Sequence, residues 1–178
     1  MKNKVTIYCF TIKYLKLLEK LPSHIIPVGL GDVKYPDNWI DEKKGINISH
    51  LNKTYGEATG IYWIWKNQMA QFKENDWIGT CHYRKYWLDN CYEKKQKYSL
   101  ASLYSKLLFP DNKIFNESDA IQVEPIIFKN QTVLQQFEKI CGKNIILNCA
   151  NFLDKKIKNE IIEYLNSKKL NITFFISK

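Results

Sequence analysis

Three side chains able to do chemistry sit close together in one stretch: His82, Tyr83 and Arg84, directly after the apolar run Trp77-Ile78-Gly79-Thr80-Cys81. If that run is a central strand, they emerge at its carboxyl end, where open α/β sheets bind ligands. An arginine fork grips phosphate oxygens bidentately, and an imidazole donates a hydrogen bond or carries a proton. Together they suit a diphosphate. Arg84 is the sole arginine of the chain, whose formal net charge of +9 is otherwise carried by lysine. Where lysine fills every ordinary cationic role, a lone arginine points to a use for its planar fork. The competing reading pairs Arg84 with a carboxylate and lets Tyr83 and Tyr86 pack.

Glu57 opens the clearest helical stretch. Its position in the first turn is explained by the helix dipole alone. The functional alternative is an acceptor for sugar hydroxyls or a general base. On the same stretch Ala58, Ile61, Tyr62, Trp65, Met69 and Phe72 recur at helical spacing and predict a core-facing stripe that includes Trp65. Trp63 and Asn67 share another face, open to a ligand. Gly29 and Gly31 flank Leu30 in a tight turn that lacks the dinucleotide fingerprint and the phosphate-loop lysine. His24 and His50 are isolated, and no nucleophile elbow is present.

The elements that must position these groups alternate between strand and helix. Strands are expected at Lys4 to Ile12, Ile25 to Val28, Asp76 to Cys81, Ala120 to Val123, Ile126 to Phe128 and Asn171 to Ile176. Helices are expected at Lys13 to Leu21, Tyr55 to Phe72 (with Thr54 as N-cap), Ser99 to Leu108, Thr132 to Cys141 and Asp154 to Lys168. Asp32 to Asn52 reads as a long functional loop. The pattern implies a layered α/β domain around a mainly parallel sheet. With 178 residues and no linker or repeat, a single domain over 1–178 is expected.

A hydrophobic fraction of 45% and an aromatic fraction of 14% exclude a disordered chain. No run reaches the roughly 20 apolar residues of a membrane span, and the N-terminus reads as a first strand rather than a signal peptide. Five cysteines (Cys9, Cys81, Cys91, Cys141 and Cys149) without ligand spacing read as buried reduced thiols in a cytoplasmic protein. The lysines are spread out rather than clustered, so the charge alone does not argue for nucleic acid.

Four ordered blocks carry a resemblance. They are Ile26-Pro27-Val28-Gly29-Leu30-Gly31; Asn47-Ile48-Ser49 with Leu51-Asn52; Tyr55-Gly56-Glu57-Ala58-Thr59-Gly60-Ile61-Tyr62-Trp63-Ile64-Trp65-Lys66-Asn67; and Ile78-Gly79-Thr80-Cys81-His82-Tyr83-Arg84-Lys85-Tyr86. Together they resemble the bacterial family named domain of unknown function 4422, found in capsule, exopolysaccharide and lipopolysaccharide gene sets and regarded as glycosyltransferases. The resemblance implies a GT-A-like fold, a nucleotide-diphospho-sugar donor and a glycan or lipid-linked glycan acceptor. It implies donor-binding roles for Gly29, Gly31, Asn47, Ser49, Asn52, Trp63, Asn67 and Tyr83, with Glu57, His82 and Arg84 at the reacting centre. The Asp-x-Asp metal motif common in GT-A enzymes is missing, and Glu74-Asn75-Asp76 lies before the strand. No metal cofactor is therefore expected, although manganese or magnesium stays open. Family members run on past the point where Lys178 ends this chain, so a C-terminally shortened domain is expected. The alternative function is an inactive nucleotide-sugar or glycan binder, and a basic nucleic-acid binder explains only the charge. The same charge is compatible with peripheral attachment to the inner membrane.

Overall fold

The computed structural model of the chain describes residues 4–89, 99–170 and 175–178. Cys91 and most of the expected last strand, 171–174, lie outside the described residues. The chain forms two compact units, Met1–Ile121 with Phe174–Lys178, and Gln122–Thr173.

The first unit is built on β1 (Val5–Thr11), whose seven residues are all buried. Its β-branched and aromatic side chains suit a strand covered on both faces. Val5, Ile7 and Cys9 enter one core cluster, while Tyr8 and Phe10 enter another, as the two-residue period of a strand requires. β2 (Ile25–Gly29) runs parallel to β1 on one side, with Ile7 opposite Ile25. The next strand inward on the other side, β4 (Trp77–His82), is also parallel and places Phe10 opposite His82. β3 (Ile40–Asp41), β8 (Phe175–Ser177) and β5 (Ala120–Gln122) complete a sheet of order β3-β2-β1-β4-β8-β5, in which β8 is antiparallel to β4. The expected α/β architecture with a mainly parallel central sheet is the one observed.

The helix expected over residues 55–72 is divided. A short helix, α1 (Asn52–Tyr55), stops at Gly56, whose φ of 53° is open to glycine and costly for other residues. Gly56, not Thr54, is the N-cap of α2 (Glu57–Asn67), and a 3₁₀ turn at Met69–Gln71 follows. Residues 13–21 likewise form only a 3₁₀ turn, Lys16–Lys20. Two short helices, α3 (Leu100–Tyr104) and α4 (Ile114–Glu117), flank the Pro110 region.

The face of α2 that packs on the sheet is not the expected one. Thr59, Gly60, Trp63 and Ile64 are buried, the last two among Tyr8, Phe10, Val28 and Leu30. Trp65, expected in the core, is 58% exposed, whereas Trp63 is only 7% exposed. The reason is close approach. A Cβ on Gly60 would lie 2.5 Å from Phe10 Cε1 and 2.9 Å from Leu30 Cδ2, so the glycine seats the helix on the sheet. A stripe counted in large apolar residues misses a core face made partly of Gly and Thr.

In the second unit β6 (Ile126–Ile127) pairs antiparallel with β7 (Lys169–Leu170). Three helices lie between them: α5 (Val133–Cys141), α6 (Ile145–Ala150) and α7 (Lys155–Asn166). Thr132 and Gln135 form a reciprocal capping box on α5, and the Asp154 carboxylate caps α7. Their helical faces bury little beyond Val133, Ala150 and Leu165. The expectation of buried thiols holds for Cys9 and Cys81, but Cys141 and Cys149 are exposed on these helices.

Gly60→Ala separates packing from propensity. Helix propensity alone favours alanine by about 1 kcal/mol, while overpacking against Phe10 and Leu30 opposes it by about 1–3 kcal/mol. We expect a lower denaturant midpoint for the variant. A midpoint at or above that of the parent would show that the contact yields freely.

Candidate functional site

His82 is the last residue of β4 and lies on the same face of the sheet as α2, because it alternates with Cys81, which is buried in the core cluster of the opposite face. Glu57 is the first residue of α2. The two meet: His82 Nε2 lies 3.3 Å from Glu57 Oε1. On the other side of the ring, the Arg84 backbone N–H donates to His82 Nδ1 at 3.3 Å. An acceptor at Nδ1 leaves the proton of the neutral ring on Nε2, directed at the carboxyl group.

Burial and the nearby Arg84 and Lys85 charges lower the His82 pKa below its ordinary 6.5. Burial raises Glu57 above its ordinary 4.5, partly offset by Lys85 and Arg84. Both shifts disfavour charge, so the contact is a neutral imidazole N–H against a half-buried carboxyl rather than a full ion pair. The Tyr83 ring stacks obliquely on His82 with centroids 4.1 Å apart. Around it stand two exposed cations: Arg84 Cζ is 5.2 Å from the Tyr83 centroid and Lys13 Nζ is 5.3 Å from it. Lys13 comes from the carboxyl end of β1, which runs parallel beside β4. The result is a cationic rim over an imidazole–carboxyl pair, at the sheet edge where α/β folds hold ligands.

The remaining expected residues build the framework beside this pair. Asn47 donates to the Lys43 and Gly45 carbonyls and accepts from the Ser49 N–H and hydroxyl. Asn67 clamps the Ile46 backbone through both its amide groups, at 3.0 and 2.8 Å. The Trp63 indole N–H donates to the Lys44 carbonyl. Gly29 lies under the Tyr35 ring, which an added Cβ would meet at 2.1 Å. Tyr35 is itself buried, which pushes its phenol up to about 12. Asn52 donates to the Gly56 carbonyl at 3.1 Å and to the Thr59 hydroxyl at 2.8 Å.

Sequence reasoning missed Glu42 and Lys13. Glu42 is fully buried. One oxygen accepts from the Gly31 N–H at 2.6 Å, and the other accepts from the Thr59 hydroxyl at 2.5 Å. Gly31 adopts a φ of 74° to present that N–H. Thr59 Oγ1 also lies 2.8 Å from the Gly56 carbonyl, at the entrance to α2 and one residue before Glu57. No motif marked Glu42, because Asp-Glu-Lys-Lys in a polar loop reads as a solvated surface. Lys13 was one lysine among many until the β1–β4 pairing placed it.

Other reactive groups are committed elsewhere. The Cys9 contact and burial hold the Cys81 thiol well above its usual range, which leaves it protonated and a poor nucleophile. The Asp76 carboxylate accepts from the Lys4 and Lys73 N–H groups at a turn. Among the described residues no three His, Cys, Asp or Glu side chains gather to hold a metal ion, and Glu57 with His82 supplies two.

The fold is shared with a solved structure, that of WbbM, a bifunctional glycosyltransferase in its apo form. The match has a TM-score of 0.58 at 18% identity and covers 99% of this chain, which spans only 34% of that one. No curated protein matches the sequence. The family model described as domain of unknown function (DUF4422) matches residues 6–175, and the chain belongs to that family.

Proposed function

We propose that the chain transfers a sugar from a nucleoside-diphosphate donor to a hydroxyl of a glycan or lipid-linked glycan acceptor. The observation that carries this reading is the Glu57–His82 pair under the cations Lys13 and Arg84, at the carboxyl edge of parallel strands, in a glycosyltransferase-like fold. The cations offset the charge that develops on a departing diphosphate. Arg84 offers the bidentate fork and Lys13 a mobile point charge. Glu57, with its raised proton affinity, accepts the proton of the attacking hydroxyl. His82, kept neutral, holds the carboxyl group through Nε2–H and orients it toward the acceptor. Arg84 and Lys13 take over the electrostatic task that a divalent ion performs in many such transferases. The acceptor class, and with it a place in capsule, exopolysaccharide or lipopolysaccharide synthesis, follows from the family resemblance.

Calorimetric titration with uridine, guanosine and cytidine diphosphates and their sugars, with and without manganese, tests the donor site. One nucleotide family should bind, and Arg84→Ala should weaken it by about ten- to a hundredfold, as loss of charged hydrogen bonds does. Nucleoside diphosphate release in the same samples marks a transferase, whereas binding without release marks a non-catalytic donor binder. A folded protein that binds none of them overturns the donor site.

The pH profile tests the base. The working form of Glu57 is the carboxylate, and its folded pKa lies above 4.5. Turnover should therefore rise with pH through an acid limb displaced above the ordinary carboxylate range. Glu57→Gln should remove that limb and lower kcat by about a hundredfold or more. An unchanged limb in the variant would assign it to another group.

A further inference from the structure

Helix α2 is apolar on two opposite sides. Thr59, Gly60, Trp63 and Ile64 face the sheet. At 3.6 residues per turn, Ala58, Ile61, Tyr62 and Trp65 fall within an arc of about 100° on the other side. Met69 continues the line on the following turn. Ala58, Ile61, Trp65 and Met69 are exposed, and Tyr62 is half-buried. Tyr55, just before the helix, is exposed as well. An outer helix of an α/β domain ordinarily turns a polar face to water. A helix apolar on two opposite sides is one that meets something on both of them.

The charge around the stripe bears on what it meets. Over residues 52–74 the cations are Lys53, Lys66 and Lys73, all exposed, and the acidic side chains are Glu57 and, at the end, the exposed Glu74. Glu57 is turned to His82. Lys66 lies along the stripe with its ammonium 3.5 Å from the Trp65 ring centroid and 5.7 Å from that of Tyr62. Tyr62 and Trp65 stand edge to face with centroids 5.7 Å apart. Tryptophan and tyrosine beside exposed lysines are the composition of a helix lying in a membrane–water interface. No helix among the described residues is long and apolar enough to cross a membrane. A net charge of +9 adds long-range attraction to an anionic surface.

We propose that this outer face of α2 docks the protein on an anionic lipid surface, with Ile61, Trp65 and Met69 seated at headgroup depth and Lys53, Lys66 and Lys73 on lipid phosphates. The inference rests on the surface of α2 and not on the donor site. Because Glu57 begins the same helix, docking sets the candidate site beside the lipid surface, within reach of a lipid-linked acceptor.

Sedimentation with phosphatidylglycerol vesicles, against phosphatidylcholine vesicles, tests it on the full chain. Binding should require the anionic lipid and weaken with added salt. Trp65→Ser and Met69→Ser together should cut the vesicle partition coefficient about tenfold, since each removes apolar area from the interface. Both side chains are exposed, so the melting temperature should stay close to that of the parent. Lys66→Glu should weaken binding without removing apolar surface. Absence of binding to phosphatidylglycerol at low salt overturns the proposal. So does equal binding by the double variant, with the loss appearing instead in Phe152→Ser, which alters an exposed aromatic of the other unit. Ultracentrifugation showing a dimer that the double variant disperses also overturns it and assigns the stripe to a second copy. Nucleoside diphosphate affinity, measured in parallel, should be unchanged. Vesicle binding without nucleotide binding would leave this surface standing and remove the donor site.

Discussion

The carboxylate of Glu42, without exposed surface, is the constraint around which the ligand edge of the sheet is arranged. A buried acidic group is tolerated where each oxygen finds a donor. Here one donor is the Gly31 N–H, at the turn after β2, and the other is the Thr59 hydroxyl on α2. The carboxylate therefore joins three segments distant in sequence: the end of a strand, the start of a loop and the first turns of a helix. Its own N–H donates to the Gly29 carbonyl at 3.1 Å, so backbone and side chain fix the residue together. Through Thr59, whose backbone N–H donates to the Gly56 carbonyl at 3.2 Å, the constraint reaches the backbone that aims Glu57 at His82. This buried carboxyl group, bonded on both oxygens, gives a polar loop a defined position.

The second requirement is register. Parallel pairing sets Phe10 opposite His82, so the chains leaving β1 and β4 emerge side by side. Lys13 and Arg84 then flank one Tyr83 ring although 71 positions separate them in sequence. A one-residue slip would send His82 to the opposite face of the sheet, away from α2. Gly60 contributes to the same end by letting the helix approach Phe10 closely enough for Glu57 to reach the imidazole. Positioning in this site comes from the strands and the helix seat, with the loop tied to α2 by Asn67 and Trp63 and braced internally by Asn47.

That division explains what could be read in advance. The strands around Val5, Ile25 and Trp77 were legible because they are continuous apolar runs bounded by turn residues, and His82 with Arg84 stood out by type and place. The orientation of α2 was not legible. Apolar residues occupy two opposite sides of it, so periodicity gives no single face, and the true core side is partly Gly60 and Thr59, which carry no hydrophobic signal. Trp63 and Trp65 accordingly exchanged places. Glu42 escaped for the opposite reason: its neighbours are all polar, and only tertiary structure supplies the donors that make its burial tolerable.

The electrostatics of the pair bear on how a single carboxyl group could act at the right moment. Burial raises the proton affinity of Glu57, while Arg84 and Lys85 hold it back. On the transferase reading, a donor diphosphate brings negative charge to the same cationic rim. Neutralising those cations removes their offset, and Glu57 becomes a stronger base when donor is bound. His82 moves in parallel: with Arg84 and Lys85 engaged by phosphate, two of the three influences that depress its pKa weaken. On that reading the Nε2–H contact serves to aim the carboxylate, and the gain in basicity that matters is that of Glu57. The cations, on that reading, hold Glu57 and His82 short of their full basicity, and the negative charge of the donor is what raises it. Arg84 and Lys85, next to His82 in sequence, are placed on the transferase reading so that substrate and base both feel their charge.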